Sequence, residues 1–311
     1  MKLKDQKEIP PPPPGRAGWP WTGDPPAVPG TLTDGSPWPK ISVVTPSYNQ
    51  GRFLEETIRS VLLQGYPNLE YIIMDGGSTD GSVDIIKKYE PWLSHWETRK
   101  DRGQSHAINR GFHRCTGDIL AWLNSDDIYT PGALPTVAAC AADHPEAGAF
   151  AGGSQARDPK GKILGEKHPP GLSFDDILRW DEPNLPQPSC FFRKEIWQKC
   201  GPLDEGLHFV MDYNLWLSIA GQSSFMAIPG VLSQYTVHEK AKTSDPQNKA
   251  DHLLEKFLVL VRQSPDQGKK IAAAKLKRYM IGYNLAVRFI PGRVLNFLTR
   301  ILMKKNRIPG D

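Results

Sequence analysis

The chain predicts an α/β fold: a mostly parallel sheet flanked by helices, followed by a helical extension at the C-terminal end. Three observations carry this. From Lys40 to Asp127, apolar β-branched runs alternate with helical patterns, joined by short loops, which is the order of a parallel sheet wrapped by helices. The strand-like stretches lead into polar residues at Thr45, Asp75, Asp101 and Asp126. Parallel strands bring such ends to one edge of the sheet, where open α/β folds bind ligands. The composition, 39% hydrophobic and 23% charged over 311 residues, is that of a globular protein with one large domain or two small ones.

Residues 1–38 hold the run Pro10 to Pro14, further prolines, and Trp19, Trp21 and Trp38. Such a segment is extended or polyproline-like. It is either a disordered leader or a strap that Trp19 and Trp21 pin across the body. It lacks the apolar core of a signal peptide.

Ile41 to Thr45 reads as a strand, broken by Pro46-Ser47-Tyr48-Asn49. Leu54, Ile58, Val61 and Leu62 then share one helix face, and Gly65-Tyr66-Pro67 stops that helix. Leu69 to Met74 is a second strand, ending at Asp75, with a loop from Gly76 to Gly81. A helix through Ile85, Ile86 and Tyr89 leads to a third strand around Trp96, which runs into Asp101-Arg102-Gly103-Gln104. The next helix carries Ala107, Ile108, Gly111, Phe112 and Cys115. The run Ile119 to Leu123 then ends abruptly in Asn124-Ser125-Asp126-Asp127, as a buried strand does where it emerges.

Beyond Pro246, Leu253, Leu254, Phe257, Leu258 and Val261 mark an amphipathic helix. A second runs from about Lys269 to Ile290, halted by Pro291-Gly292, and a third carries Val294, Leu295, Leu298, Ile301 and Leu302. From Gln267 to Asp311 there are eleven Lys or Arg and one acid, while the remainder has 27 basic and 33 acidic residues. Two readings stay open: helices packed on the body with solvated charge, or attachment to an anionic membrane surface. No apolar stretch reaches the roughly 18 residues of a spanning helix. The four cysteines form no CxxC pair, which predicts a reducing cytosol and no structural zinc site.

The acidic pair Asp126-Asp127 either caps the next helix or offers hard oxygen ligands suited to Mg²⁺ or Mn²⁺ bridging to phosphates. Neither a G-x-G-x-x-G fingerprint nor a P-loop occurs. Metal-assisted diphosphate binding is the better option.

The ordered set of motifs Val44 to Asn49, Asp75 to Gly81, Asp101 to Gln104, Asn124 to Asp127, Gly201 to Glu205, Met211 to Leu217 and His238 to Thr243 resembles the family 2 glycosyltransferases. It spans about residues 39 to 245. The resemblance implies a GT-A fold with a Rossmann-like sheet, and an inverting enzyme that uses Mn²⁺ or Mg²⁺. Its donor would be a nucleotide-diphosphate sugar and its acceptor the hydroxyl of a glycan or lipid-linked molecule, in cell-surface polysaccharide synthesis. By the same resemblance, Thr45 lies against the base and Asp75 accepts a hydrogen bond from it, while Asp101 to Gln104 line the nucleotide-sugar pocket. Asn124-Ser125-Asp126 takes the Asp-x-Asp position, with Asn124 in place of the first Asp, Ser125 near the ribose and Asp126 on the metal. Asp127 remains a helix-cap candidate.

Asp212 matches the general base, against the simpler reading that it caps the helix of Leu215, Trp216 and Ile219. His238 is assigned to the metal and Lys242 to a phosphate; His106, His113 and His208 receive no role. Gln187 to Arg193 reads as a strand on the acceptor side, and Trp180 and Trp197 as packed aromatics.

The expected division is a proline-rich leader (1–38), a glycosyltransferase domain (39–245) and a basic amphipathic extension (246–311). The expected place is the cytoplasm, or the inner face of the plasma membrane as a peripheral protein, with no nucleic-acid partner. Two alternatives accompany this. A sugar-phosphate nucleotidyltransferase would need a glycine-rich basic loop after the first strand, which Thr45-Pro46-Ser47-Tyr48 is not. A non-catalytic nucleotide-sugar or membrane-surface binding protein would show Asp212 facing away from the pocket.

Overall fold

The structure is a computed structural model that describes residues 8–24, 26–169, 171–179, 185–239, 242, 248–264, 266–267 and 270–271. Its first half follows the predicted alternation. Strands β1 (Ile41–Ser47), β2 (Leu69–Asp75), β3 (His95–Thr98) and β4 (Ile119–Trp122) alternate with helices α1 (Gly51–Leu62), α2 (Ser82–Tyr89) and α3 (Gln104–Arg114). All four strands pair in parallel, in the order β3-β2-β1-β4.

The second half departs from a simple parallel sheet. It comprises β5 (Ile128–Tyr129), α4 (Ala133–Asp143), β6 (Ala149–Arg157), β7 (Ile163–Lys167), α5 (Phe174–Arg179), β8 (Cys190–Arg193), α6 (Lys194–Cys200), α7 (Met211–Ala220), β9 (Phe225–Thr236) and α8 (Lys249–Gln263). The strand predicted over Gln187 to Arg193 begins as a single 3-10 turn and becomes β8 only from Cys190. β8 enters the sheet antiparallel to β4, and the order continues β8-β6-β9-β5, with β7 paired to β6.

The sheet separates two cores by the two-residue period of its strands. Ile41, Val43, Tyr71, Ile73, Ile119 and Ala121 face α1, α2 and α4. Val44, Ile72, Met74, Leu120 and Trp122 face α3 and α7 on the other side. Gly111 explains how closely α3 approaches. A Cβ there would lie 2.4 Å from Val44 Cγ1, so only glycine lets the helix sit down on β1.

The leader is a strap. Trp21, Leu32 and Trp38 are buried, and the Trp19 indole N–H donates to the Tyr129 carbonyl at 2.8 Å. Its main anchor is Arg59 on α1, a guanidinium only 4% exposed. It donates to the carbonyls of Pro10 (2.6 Å), Pro20 (3.0 Å) and Trp21 (3.1 Å). Proline-rich backbone has few N–H donors with which to form its own ladder, so three of its carbonyls are satisfied by this one cation.

At the other end, α8 packs on the body through Phe257, Val259 and Leu260. The first of the predicted C-terminal helices is therefore a packed element. The other two and most of the basic tail lie outside the described residues. No helix among those described is long and apolar enough to cross a membrane.

Truncating Arg59 leaves three leader carbonyls without their donor. Arg59→Ala is expected to lower stability by about 3 kcal/mol or more and to make residues 8–24 a preferred site of limited proteolysis. An unchanged thermal midpoint with an uncut leader would refute the strap.

Candidate active site

A cleft of about 590 Å³ opens at the carboxyl ends of β1 and β4, and the start of α7 forms part of its wall. Asp101, Gln104, Asn124, Ser125, Asp126, Asp212 and Lys242 all line it. His238 joins them by contact, its Nε2 lying 3.0 Å from Asp126 Oδ2.

The loop after β4 is held by amides. Asn124 Oδ1 accepts from Gln104 Nε2 at 2.7 Å, and its Nδ2 donates to Gln187 Oε1 (3.0 Å) and Asp127 Oδ2 (3.3 Å). Gln187 in turn donates to the Trp122 carbonyl at 2.9 Å. Both ends of the Asn124 amide are thus engaged within the protein, which makes it a frame for the loop and leaves Asp126 as the carboxylate offered to the cleft.

Asp127 is not a helix cap; Gly132 stands at the start of α4. The Asp127 carboxyl is buried and accepts from the Thr236 N–H of β9 at 3.2 Å. Burial first, and then the neighbouring Asp126 carboxylate, raise its pKa well above the usual range.

Thr45 and Asp75 do not line this cleft. Thr45 is fully buried, and its hydroxyl meets the Tyr71 hydroxyl at 3.0 Å. Strand alternation turns it away, and the next three residues, Pro46, Ser47 and Tyr48, reach the cleft instead. Asp75 is also outside the lining and 1% exposed. Its carboxylate accepts from the Gly77 and Ser78 N–H groups (3.0 and 2.9 Å) and from the Thr98 hydroxyl (2.6 Å). It shapes the glycine loop. That loop packs on Asp101, whose Oδ2 would be 2.9 Å from a Cβ at Gly76.

Asp212 enters from α7. Val210 occupies the cap position of that helix, so the simpler cap reading of Asp212 does not hold. Its Oδ1 accepts from the Tyr213 N–H at 2.8 Å. Burial raises its pKa to about 6, against the opposing pull of that hydrogen bond and of Lys242 and Lys256. The Lys242 ammonium lies 5.5 Å from the centre of the Phe209 ring. Desolvation lowers the Lys242 pKa, while Glu255 and Asp212 raise it.

Sequence reasoning missed several cleft residues. Ser47, His208, Phe209 and Tyr235 all line the cleft, as does Tyr48, which is 62% exposed at its mouth. Tyr48 was visible in its motif, but nothing in the pattern distinguished His208 from a surface histidine. Trp197 packs against Phe112, ring centroids 4.7 Å apart, as expected of a core aromatic; Trp180 lies outside the described residues.

Among the described residues, no three His, Cys, Asp or Glu side chains form a metal cage. Asp126 and His238 nevertheless bring one oxygen and one nitrogen donor together at the cleft. Such a pair suits Mn²⁺ or Mg²⁺ whose other ligands are phosphate oxygens and water.

The pattern of Glycosyl transferase family 2 matches residues 42–201. The putative teichuronic acid biosynthesis glycosyltransferase TuaG of Bacillus subtilis is 35% identical over 147 residues, covering 45% of this chain and 58% of its own. An uncharacterized glycosyltransferase of Nostoc sp. is 38% identical over 101 residues, or 31% of its length. The chain thus spans about a third to three-fifths of these two relatives. An uncharacterized glycosyltransferase of Rickettsia typhi is 24% identical over 292 residues, covering 86% of this chain and 90% of its own.

Among solved structures, S. aureus TarS 1–349 superposes with a TM-score of 0.59 at 17% identity, covering 80% of this chain and 76% of that one. It has also been solved with UDP and with UDP-GlcNAc. The mannosyltransferase PcManGT of Pyrobaculum calidifontis, in complex with GDP-Man and Mn²⁺, superposes at 0.55 with 19% identity, covering 87% and 85%. The curled, mostly parallel sheet is that of GT-A glycosyltransferases. On the sequence pattern that covers half of its length, the chain belongs to glycosyl transferase family 2.

Proposed function

We propose that the chain is an inverting glycosyltransferase. It moves a sugar from a nucleoside-diphosphate sugar to a hydroxyl of a glycan or lipid-linked acceptor, in the synthesis of a cell-surface polysaccharide. The observation that carries this is a half-buried carboxylate, Asp212, that lines the same cleft as Asp126 but comes from a different element, with His238 in contact with Asp126. We assign the chemistry to residues 39–245, with the leader as a strap and α8 as a packed addition.

In this reading, the nucleotide lies over the β1 and β4 ends, its base against Tyr48. The Asp101 to Gln104 loop and Ser125 hold the ribose and sugar. Asp212 takes the proton from the acceptor hydroxyl as that oxygen bonds to the anomeric carbon. The bond from that carbon to the diphosphate breaks on the opposite face, so the configuration inverts. Lys242 meets the departing phosphate. When bound at Asp126 and His238, Mn²⁺ or Mg²⁺ supplies charge neutralisation for the leaving diphosphate. A carboxylate with a pKa of about 6 is a stronger base than an exposed aspartate, yet still ionised at neutral pH. TuaG, as a teichuronic acid enzyme, supports an acidic cell-wall glycan as product.

A panel of UDP, GDP and dTDP sugars, assayed with Mn²⁺, with Mg²⁺ and with EDTA, tests the reading. One donor is expected to be consumed, in a metal-dependent way. Asp212→Asn should lower transfer by about 10²- to 10⁴-fold while retaining donor binding, and Asp126→Ala should lose the metal response. Full transfer activity in Asp212→Asn would exclude the base assignment.

Because the ionised form of Asp212 accepts the proton, the rate should rise with pH through about 6. A rate that is flat across that range would remove Asp212 as the titrating base.

Asn124→Asp exchanges two N–H donations for a third carboxyl beside Asp126 and the buried Asp127. The metal-free protein should lose about 2 kcal/mol, read by thermal unfolding; a midpoint equal to wild type would show that the amide frame is dispensable.

A further inference from the structure

α8 carries polar groups aimed at the elements that hold Asp212. Gln263 donates to Asn214 Oδ1 (3.0 Å) and Ser218 Oγ (2.9 Å) on α7, and Arg262 pairs with Asp204 at 2.9 Å. The most specific contact is made by Glu255. Its two carboxylate oxygens accept from two consecutive backbone N–H groups, His208 at 2.8 Å and Phe209 at 2.7 Å. Both residues line the cleft, and Asp212 follows three positions after Phe209. The Phe209 ring in turn carries the Lys242 ammonium, which interacts with the carboxylates of both Glu255 and Asp212.

A carboxylate that bridges two successive amides fixes a loop more tightly than a single contact, because both oxygens are committed and charge-assisted. We propose that Glu255 is a positioning residue of the active site: it pins the His208–Phe209 backbone ahead of Asp212. The helix after the catalytic region is then part of the catalytic apparatus. This rests on the reading of Asp212 as the base.

The physical consequence concerns Asp212, whose helix α7 begins two residues after the pinned pair. The charged or titratable groups that face Asp212 are Lys242 from the segment after β9, Lys256 from α8 and the Cys190 thiol from β8. Without both amide contacts the segment ahead of α7 is released, the Asp212 carboxyl moves toward solvent, and its ionised form is favoured.

The test titrates Asp212 in the full chain by carbon-13 NMR of labelled aspartate carboxyls, the resonance identified by its loss in Asp212→Asn. In Glu255→Gln the midpoint should fall from about 6 by about one unit, and in Lys242→Met it should rise. In the double variant the Glu255 effect should persist, because it acts through the backbone and not through Lys242. A role confined to folding would lower the thermal midpoint and leave the Asp212 titration of the folded protein unmoved. An unshifted midpoint in Glu255→Gln, or a shift that needs Lys242, overturns the proposal. Glu255→Asp, one methylene too short for both amides, provides a second variant if the first is poorly folded, with the same expected fall.

With the donor found in the panel, Glu255→Gln should lower kcat about tenfold at unchanged donor KM. If wild type consumes no nucleotide sugar while the titration cycle behaves as described, the glycosyltransferase reading fails separately from the contact.

Discussion

The geometry of the cleft depends on one pair of indoles. Trp122 ends β4, two residues before Asn124, and Trp216 lies one helical turn beyond Asp212 on α7. Their rings stack with centroids 5.4 Å apart and an interplanar angle of 15°. The strand that presents Asp126 and the helix that presents Asp212 are thereby joined at a rigid, buried contact. Both indole N–H groups lack a hydrogen-bond partner among the described residues, at a cost of about 1–3 kcal/mol each. Burying roughly 200 Å² of each ring contributes about 5 kcal/mol, so packing wins. Phe192 and Phe225 close in on Trp216 at 6.0 and 6.1 Å, leaving the stack little freedom to slide.

From that contact outward, the site is a convergence of elements distant in sequence. Gln104, Asn124 and Gln187 form a chain of side-chain amides across the cleft floor. Thr236, at the end of β9, binds the Asp126 carbonyl through its hydroxyl and the Asp127 carboxyl through its N–H. His238 follows two residues later and reaches Asp126 itself. β9 therefore delivers the histidine by first fastening the acidic loop. The neighbouring strand end is fastened too, since Arg157 of β6 donates to the Thr236 hydroxyl at 3.2 Å and pairs with Glu56 of α1 at 2.6 Å.

The parallel half of this architecture was legible in the sequence because each of its strands is a continuous apolar run ended by polar residues. The same signal was weaker in the second half. β8 is four residues long and continues directly into α6, and β6 contains Gly152 and Gly153, so neither shows its sheet position or direction. β7 is exposed along its whole length and has no apolar face to reveal it. At the site, the ordered motifs placed Asp126, Asp212 and His238 together, but side-chain direction was not readable. Thr45 and Asp75 sit at strand ends, as expected, yet point into the structure that supports the cleft. The leader was ambiguous because prolines and tryptophans do not say what they lean on. The partner was Arg59, a buried cation inside an otherwise ordinary amphipathic helix.

The replacement of the first acid by Asn124 follows from this packing. Asp127 is buried beside Asp126, and burial together with the Asp126 charge raises its pKa well above the usual range. A carboxylate at position 124 would face the Asp127 oxygen with no hydrogen to offer, and would add a third acid to the same few ångströms. Asparagine instead donates to Asp127 and Gln187 and accepts from Gln104. The loop thus sets Asp126 at the cleft on a support of hydrogen-bonded amides, Gln104, Asn124 and Gln187, which position its carboxylate without adding charge of their own.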